Sequence, residues 1–163
     1  MLASIPLGEL SGHAAGRILL KQMYEQHIGG IMPEIAVTPR GKPYFADSGV
    51  HFSISHTKCR VFCVLSDRPV GVDAEETHRK IDLNLAEKIL SETEKERFAR
   101  EVDKRSALLK LWVLKEANAK CAEVGANMTY LELSTYPGYM DSFVAACFIP
   151  HTDRNLFPNS IQE

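Results

Sequence analysis
The sequence lacks the marks of several large protein classes. Its start, Met-Leu-Ala-Ser-Ile-Pro-Leu-Gly-Glu, has no basic segment leading into a long apolar stretch, and its longest later apolar run, residues 143–149, is too short to span a bilayer. A soluble, cytoplasmic protein with no membrane partner is the expectation. The four cysteines, Cys59, Cys63, Cys121 and Cys147, form no Cys-x-x-Cys pair and have no histidine at zinc-finger spacing. They exclude a metal box and a disulfide framework, and read as small buried hydrophobes. Positive charge is not in excess: 19 Lys plus Arg against 21 Asp plus Glu leave a net charge of -2, without the signature of a nucleic-acid partner. An anionic ligand then needs a local basic site. There is no Gly-x-Ser-x-Gly elbow, Walker loop or dinucleotide fingerprint, so nucleophilic catalysis by the protein itself is not indicated. His13, His27, His78 and His151 stand at no metal or triad spacing and read as structural.

What is present suffices for one compact domain: 163 residues, 45% of them hydrophobic, can bury a core without staples. Apolar residues at helical spacing (Ile18, Leu19, Met23, with Tyr24 and Ile28) predict a helix over 14–28, stopped by Gly29-Gly30. A turn-rich stretch runs through Pro33, Pro39, Gly41 and Pro43. Val50, Phe52 and Ile54 then alternate with His51, Ser53 and Ser55 as in a half-buried strand, and residues 60–66 read as its neighbour. A third strand over 70–75 puts Val70, Val72 and Ala74 on one face and Gly71, Asp73 and Glu75 on the other. Ser91-Glu-Thr-Glu94 matches a capping box and starts a helix. A longer helix over 104–122 is expected to turn Leu108, Leu111, Trp112, Leu114 and Ala119 inward, with Gly125 capping its end. Strands over 130–134 and 142–148 flank a Pro137-Gly138 turn, and 151–163 reads as a tail. The order is that of an α+β protein.

The chemistry sits on the third strand and the long helix. Asp73 and Glu75, two apart, project from one face with Cα atoms roughly 6.5 to 7 Å apart, close enough to converge on one cation. An isolated Asp-x-Glu is more often a solvated face. Trp112, Glu116 and Lys120 are spaced by four and form one stripe with an apolar anchor, or an ordinary surface Glu-Lys pair. Magnesium takes few carboxylates and leaves positions for phosphate oxygens, which such acids near a phosphoryl group provide. Arg40-Gly41-Lys42-Pro43 and Ser55-His56 add donors for phosphate or ribose oxygens, each also common turn chemistry.

Taken in order, Gly-Lys-Pro at 41–43, His-Phe-Ser-Ile-Ser-His-Thr at 51–57, Gly-Val-Asp-Ala-Glu at 71–75, Leu-Ser-Glu-Thr-Glu at 90–94 and Trp-Val-Leu-Lys-Glu-Ala-Asn-Ala-Lys at 112–120 resemble the 4'-phosphopantetheinyl transferase superfamily, in its longer, surfactin-synthetase-activating type. The resemblance implies two similar α+β halves packed as a pseudo-dimer within one chain, approximately 1–70 and 71–150 of a single domain over 1–163, and a monomer. It implies transfer of 4'-phosphopantetheine from coenzyme A to a serine of an apo acyl or peptidyl carrier protein, releasing 3',5'-ADP. Asp73, Glu75 and Glu116 would hold Mg2+, or Mn2+, bridging the pyrophosphate. Glu116 would also be the base. Lys120 and Lys115 would face the phosphates as catalytic lysines. Lys42 and Pro43 would border the adenine, Ser55 and His56 would hold phosphates of the 3',5'-ADP half, and Arg17 matches a basic residue there. Glu94 matches another acid near the site. Ser53 stands where the family often has Asn, Ala74 where it has a larger aliphatic, and Ile18 where a hydroxyl contacts phosphate; the chain starts almost at the first helix, whereas the long form carries further basic residues before it. The Trp112 indole is expected to be buried against the sheet, aiming Glu116 and Lys120. The competing readings are a degenerate, non-catalytic carrier- or nucleotide-binding relative and a magnesium-dependent pyrophosphate hydrolase.

Overall fold
A computed structural model describes residues 1–122, 134–139 and 141–148; the expected Gly125 cap, most of the 130–134 strand and the tail lie outside the described residues. Chain order is β1 (Leu2–Pro6), α1 (Gly12–His27), β2 (Ile35–Val37), β3 (Pro43–Phe45), β4 (His51–His56), β5 (Arg60–Ser66), β6 (Val70–Glu76), α2 (Leu85–Ile89), α3 (Glu92–Ala99), α4 (Lys104–Ala122), β7 (Ser134–Tyr139) and β8 (Ser142–Phe148). Helices and strands mix as the α+β expectation requires. Among the described residues no helix is long and apolar enough to cross a membrane.

Alternation along two strands builds the layers. In β5, Val61, Cys63 and Leu65 join the cluster under α1, while Phe62 and Val64 join Val70, Val72, Ala74 and Val144 on the opposite face. In β8, Val144 faces that inter-sheet cluster, and Phe143, Ala145 and Cys147 face α4. The antiparallel sheet β1-β5-β4 therefore has α1 outside it, and the antiparallel sheet β6-β8-β7 has α4 outside it. Side chains buried to this extent contribute about 1.5–3 kcal/mol each, which holds the layers together.

Local chemistry sets the element ends. Ser11 accepts from the Ala14 N–H and starts α1 two residues before the expected helix. The buried face of α1 is Leu19, Leu20, Met23 and Tyr24; Ile18 and Ile28 are exposed, because the buried stripe is rotated by a residue from the expected one. The capping box at Ser91 and Glu94 is formed on both sides.

Four expectations change. A strand, β1, precedes α1 and pairs with β5, so the chain does not begin at the helix. The turn-rich stretch contains a short hairpin, β2–β3, closed by Thr38 and Lys42 with Gly41 at positive φ. Pro137-Gly138 lies inside β7, where the register shifts, and the chain reverses nearer Asp141, which takes a positive φ of 68°. Cys59 is exposed; the other three cysteines are buried, and burial pushes the Cys63 and Cys121 thiols up to about 12, leaving them neutral.

The inward face of α4 is also displaced. Leu108, Leu109, Val113, Ala117 and Cys121 are fully buried, whereas Leu111, Trp112 and Leu114 are only half-buried and Ala119 is exposed. The spacing of four from Leu109 to Cys121 was hidden because small residues carry it. Trp112 therefore packs on the margin of the α4 core instead of filling its centre. Trp112→Ala is expected to cost about 2 kcal/mol, below the usual cost of emptying a core tryptophan site; a urea melt showing no loss would remove the indole from the packing of α4.

Candidate functional site
The site begins at the edge of β6 that, among the described residues, pairs with no strand. An edge strand presents unpaired backbone groups, and here side chains from β4 and from the β2–β3 hairpin satisfy them. Ser53 Oγ accepts from the Val72 N–H at 3.0 Å, Ser55 Oγ accepts from the Ala74 N–H at 3.2 Å, and Lys42 Nζ donates to the Val70 carbonyl at 3.3 Å. Both serines are buried, so the polar face of β4 is a seam between sheets, where the alternation suggested a solvated surface.

The outward face of β6 lies under α4. A Cβ on Gly71 would stand 2.0 Å from the Ala117 carbonyl oxygen and 2.5 Å from the Cys121 nitrogen, so glycine there lets the helix backbone rest on the strand. That contact sets the height of Lys120 over Asp73. Lys120 Nζ donates to Asp73 Oδ1 at 2.6 Å and to Ser55 Oγ at 3.3 Å, and Ser55 Oγ donates to the same Asp73 oxygen at 3.0 Å. Lys42 Nζ also donates to the Lys120 carbonyl, tying the β2–β3 hairpin to the last turn of α4. Beside this network opens a cavity of about 220 Å³ whose walls include Arg40, Lys42, Pro43 and Lys120.

The structure thus brings Lys42, Pro43, Ser55, Asp73 and Lys120 into one place. Glu75 shares the Asp73 face and pairs with Arg79. Glu116 lies one turn before Lys120 on α4, half-buried and in no ion pair among the described residues. Lys115 pairs with Glu94 on α3 at 2.9 Å, away from Asp73. His56 is exposed at the end of β4, its Nδ1 3.2 Å from the Thr57 carbonyl oxygen and its ring against Gly12 at the start of α1; Arg17 stands further along that helix. Ser53, Gly71 and Arg79 were not foreseen as parts of this region. The advance signals were parity, since Ser53 and Ser55 share a strand face as Gly71 and Asp73 do, and the place of Ser53 and Gly71 within the family-like motifs.

Among the described residues no three His, Cys, Asp or Glu side chains converge as a metal-binding group. The donor chemistry nevertheless suits a hard divalent cation: Asp73 and Glu75 offer oxygen only, and both already attract positive charge, in Lys120 and Arg79. Two carboxylates leave room for the phosphate oxygens that magnesium prefers as partners.

Glu94 couples α3 to α4. Burial pushes its carboxyl up, but the Lys115 ammonium and the bonds from Ser91 outweigh this and hold it below its ordinary 4.5. A lowered folded value means that the pair's contribution to stability is present above pH 4.5 and is lost as pH falls through the folded value. Glu94→Gln is expected to melt below wild type at neutral pH, with the difference closing as pH falls below 4.5 and through the lowered folded value; a constant difference across that range would dissociate the ion pair from stability.

Strand carboxylates under a helix lysine, beside a basic cavity, suit a protein that handles phosphorylated molecules. Residues 69–151, just over half of the chain, match the family described as the 4'-phosphopantetheinyl transferase superfamily, and the chain belongs to it. It is 34% identical over 98 residues to the 4'-phosphopantetheinyl transferase gsp of Aneurinibacillus migulanus, covering 59% of this chain and 39% of that protein. It is 31% identical over 100 residues to a Haemophilus influenzae protein named "Putative 4'-phosphopantetheinyl transferase", covering 58% of this chain and 43% of the relative. Each match spans less than half the length of the relative.

Proposed function
We propose that the protein transfers 4'-phosphopantetheine from coenzyme A to a serine of an apo acyl or peptidyl carrier protein, releasing 3',5'-ADP. The observation that carries this reading is the Lys120–Asp73 contact, both residues within the stretch 69–151 that matches the family, at the edge of the Arg40, Lys42 and Pro43 cavity. In this reading the cavity takes the nucleotide half of coenzyme A, with Pro43 and the Lys42 stem against the adenine. Arg17 and His56, at the α1–β4 end, meet its phosphates.

Asp73 and Glu75, with Glu116, would hold Mg2+ or Mn2+, which when bound supplies charge neutralisation of the pyrophosphate. Glu116 accepts the proton of the attacking carrier serine. Lys120 stabilises the charge that builds on the 3',5'-ADP oxygen as the bond to phosphorus breaks. Lys115 assists through its side of the phosphates once released from Glu94. The two sheet-and-helix units, β1-β5-β4 with α1 and β6-β8-β7 with α4, support a pseudo-dimeric monomer, and the reading places it in the cytoplasm as one domain.

Incubation with coenzyme A, magnesium and a panel of apo-carriers, followed by intact mass, tests the proposal. A phosphopantetheine mass gain with 3',5'-ADP release is expected, and only with divalent metal. Coenzyme A binding without mass gain on any carrier would point to a non-catalytic relative, and pyrophosphate cleavage without transfer to a hydrolase. Glu116→Gln, close in shape and unpaired among the described residues, is expected to lower kcat by about a hundredfold or more while shifting stability by less than about 0.5 kcal/mol. Full turnover by this variant would move the base elsewhere.

A further inference from the structure
Each of the two strand carboxylates pairs with a cation of the chain itself, Asp73 with Lys120 and Glu75 with Arg79. In the proposed reaction Lys120 acts on the phosphates. Arg79 has no part in it, yet the loop after β6 is built to hold it. The Arg79 N–H donates to the Glu76 carbonyl at 2.9 Å, which closes a turn over 76–79 and brings the guanidinium back to Glu75. Two further contacts fix that turn. The Thr77 N–H donates to the Asp141 carbonyl at 2.6 Å, and Arg105, in the first turn of α4, donates through Nη1 to the Thr77 carbonyl and, at 3.4 Å, to the Arg79 carbonyl. Arg105 thus directs these donors at carbonyl oxygens and leaves Glu75 to Arg79.

We propose that Arg79 is an internal counter-ion of Glu75 that competes with a divalent cation: it holds the carboxylate until the cation binds and is displaced when it does, so that it sets the metal concentration at which the site fills. The proposal rests on the reading of Glu75 as a metal ligand and goes beyond it. A guanidinium and a divalent cation seek the same carboxylate oxygens and repel each other at contact distance. The Arg79 side chain is about half exposed, which makes the pair weak enough to exchange. An exposed pair of ordinary strength leaves Glu75 free in about a tenth to a third of the molecules, and the apparent metal affinity is reduced by that fraction.

Titration of the full chain with Mn2+, followed by the electron paramagnetic resonance of the free ion, tests this without coenzyme A, carrier or turnover. Arg79→Gln is expected to tighten Mn2+ binding by about threefold to tenfold. Lys80→Gln, the same change of charge at the next, exposed residue, is expected to shift it by less than about twofold, because solvent screens a cation outside the contact. Arg79→Lys, which keeps the charge, stays near wild type. Without divalent metal Arg79→Gln is expected to melt about 1–3 °C below wild type, and at saturating Mn2+ the gap closes, since the pair is then broken in both proteins. In a Glu75→Gln background, where Mn2+ binding is about tenfold weaker, Arg79→Gln brings no further tightening.

Unchanged Mn2+ affinity in Arg79→Gln, with Glu75→Gln still weakened, would overturn the counter-ion and leave Glu75 a metal ligand. Equal tightening in Arg79→Gln and Lys80→Gln would reduce Arg79 to one charge among many and overturn it as well. If Glu75→Gln binds Mn2+ as wild type does, or wild type binds none, the metal reading of Glu75 falls and the competition falls with it.

Discussion

Asp73→Ala is expected to abolish transfer and to destabilise the fold together. Three free carboxylates in one place would repel, and losing one would relieve the others. The structure puts Asp73 in attractive contact instead: its Oδ1 receives both Lys120 Nζ and Ser55 Oγ, and the residue is only 7% exposed. Removing it leaves Lys120 with the Ser55 hydroxyl oxygen in place of a carboxylate, and leaves the Ser55 hydroxyl without its acceptor. Because Lys120 remains partly open to water, the cost lies below that of a sealed ion pair, at about 2 kcal/mol, or a melting point lower by about 4–8 °C. Transfer falls by about a hundred- to a thousandfold, since the phosphate end of the site loses its carboxylate and Lys120 loses its aim. Asp73→Asn, which keeps the shape and an acceptor, recovers part of the stability and little of the activity. A variant that melts at or above wild type, or turns over normally, would remove the Asp73–Lys120 contact from the site.

Gly71→Ala is expected to be as damaging without touching a charged group. The added methyl meets the Ala117 carbonyl oxygen at 2.0 Å and the Cys121 nitrogen at 2.5 Å, which are backbone atoms that no rotamer change can move aside. The helix must lift from β6. Overpacking of this kind costs about 3 kcal/mol or more, and the melting point is expected to fall by about 6–12 °C. Lifting α4 also carries Lys120 away from Asp73 and strains the Lys42 bond to the Lys120 carbonyl. Residual transfer in a folded Gly71→Ala protein is therefore expected to show a lowered kcat, and, because Lys120 and Lys42 also line the cavity beside the β2–β3 hairpin, weaker binding of 3',5'-ADP. Unchanged stability would mean that strand and helix are not in direct backbone contact.

Much of the fold was legible along the chain. The capping box at Ser91, the neighbouring strand over 60–66 and the bounds of α4 follow from local chemistry, and the structure keeps them. Periodicity failed where both faces of an element are covered. The face of β4 carrying Ser53 and Ser55 looked solvated because serine is polar, yet it closes the edge of β6; the buried stripe of α4 looked as if it ran through Trp112, because Ala117 and Cys121 are too small to stand out.

By itself the sequence determined which chemistry is available: carboxylates at alternating positions of one strand, a glutamate and a lysine four apart on a helix, a Gly-Lys-Pro turn, and membership of the transferase superfamily, since residue type and spacing along one element are local properties. Only the tertiary structure decided how these meet. Lys120 reaches Asp73 because Gly71 lets α4 rest on β6, Lys115 is drawn to Glu94, and Ser55 bonds Asp73, as each of these depends on the distance between elements far apart in the chain, which packing fixes and local spacing does not.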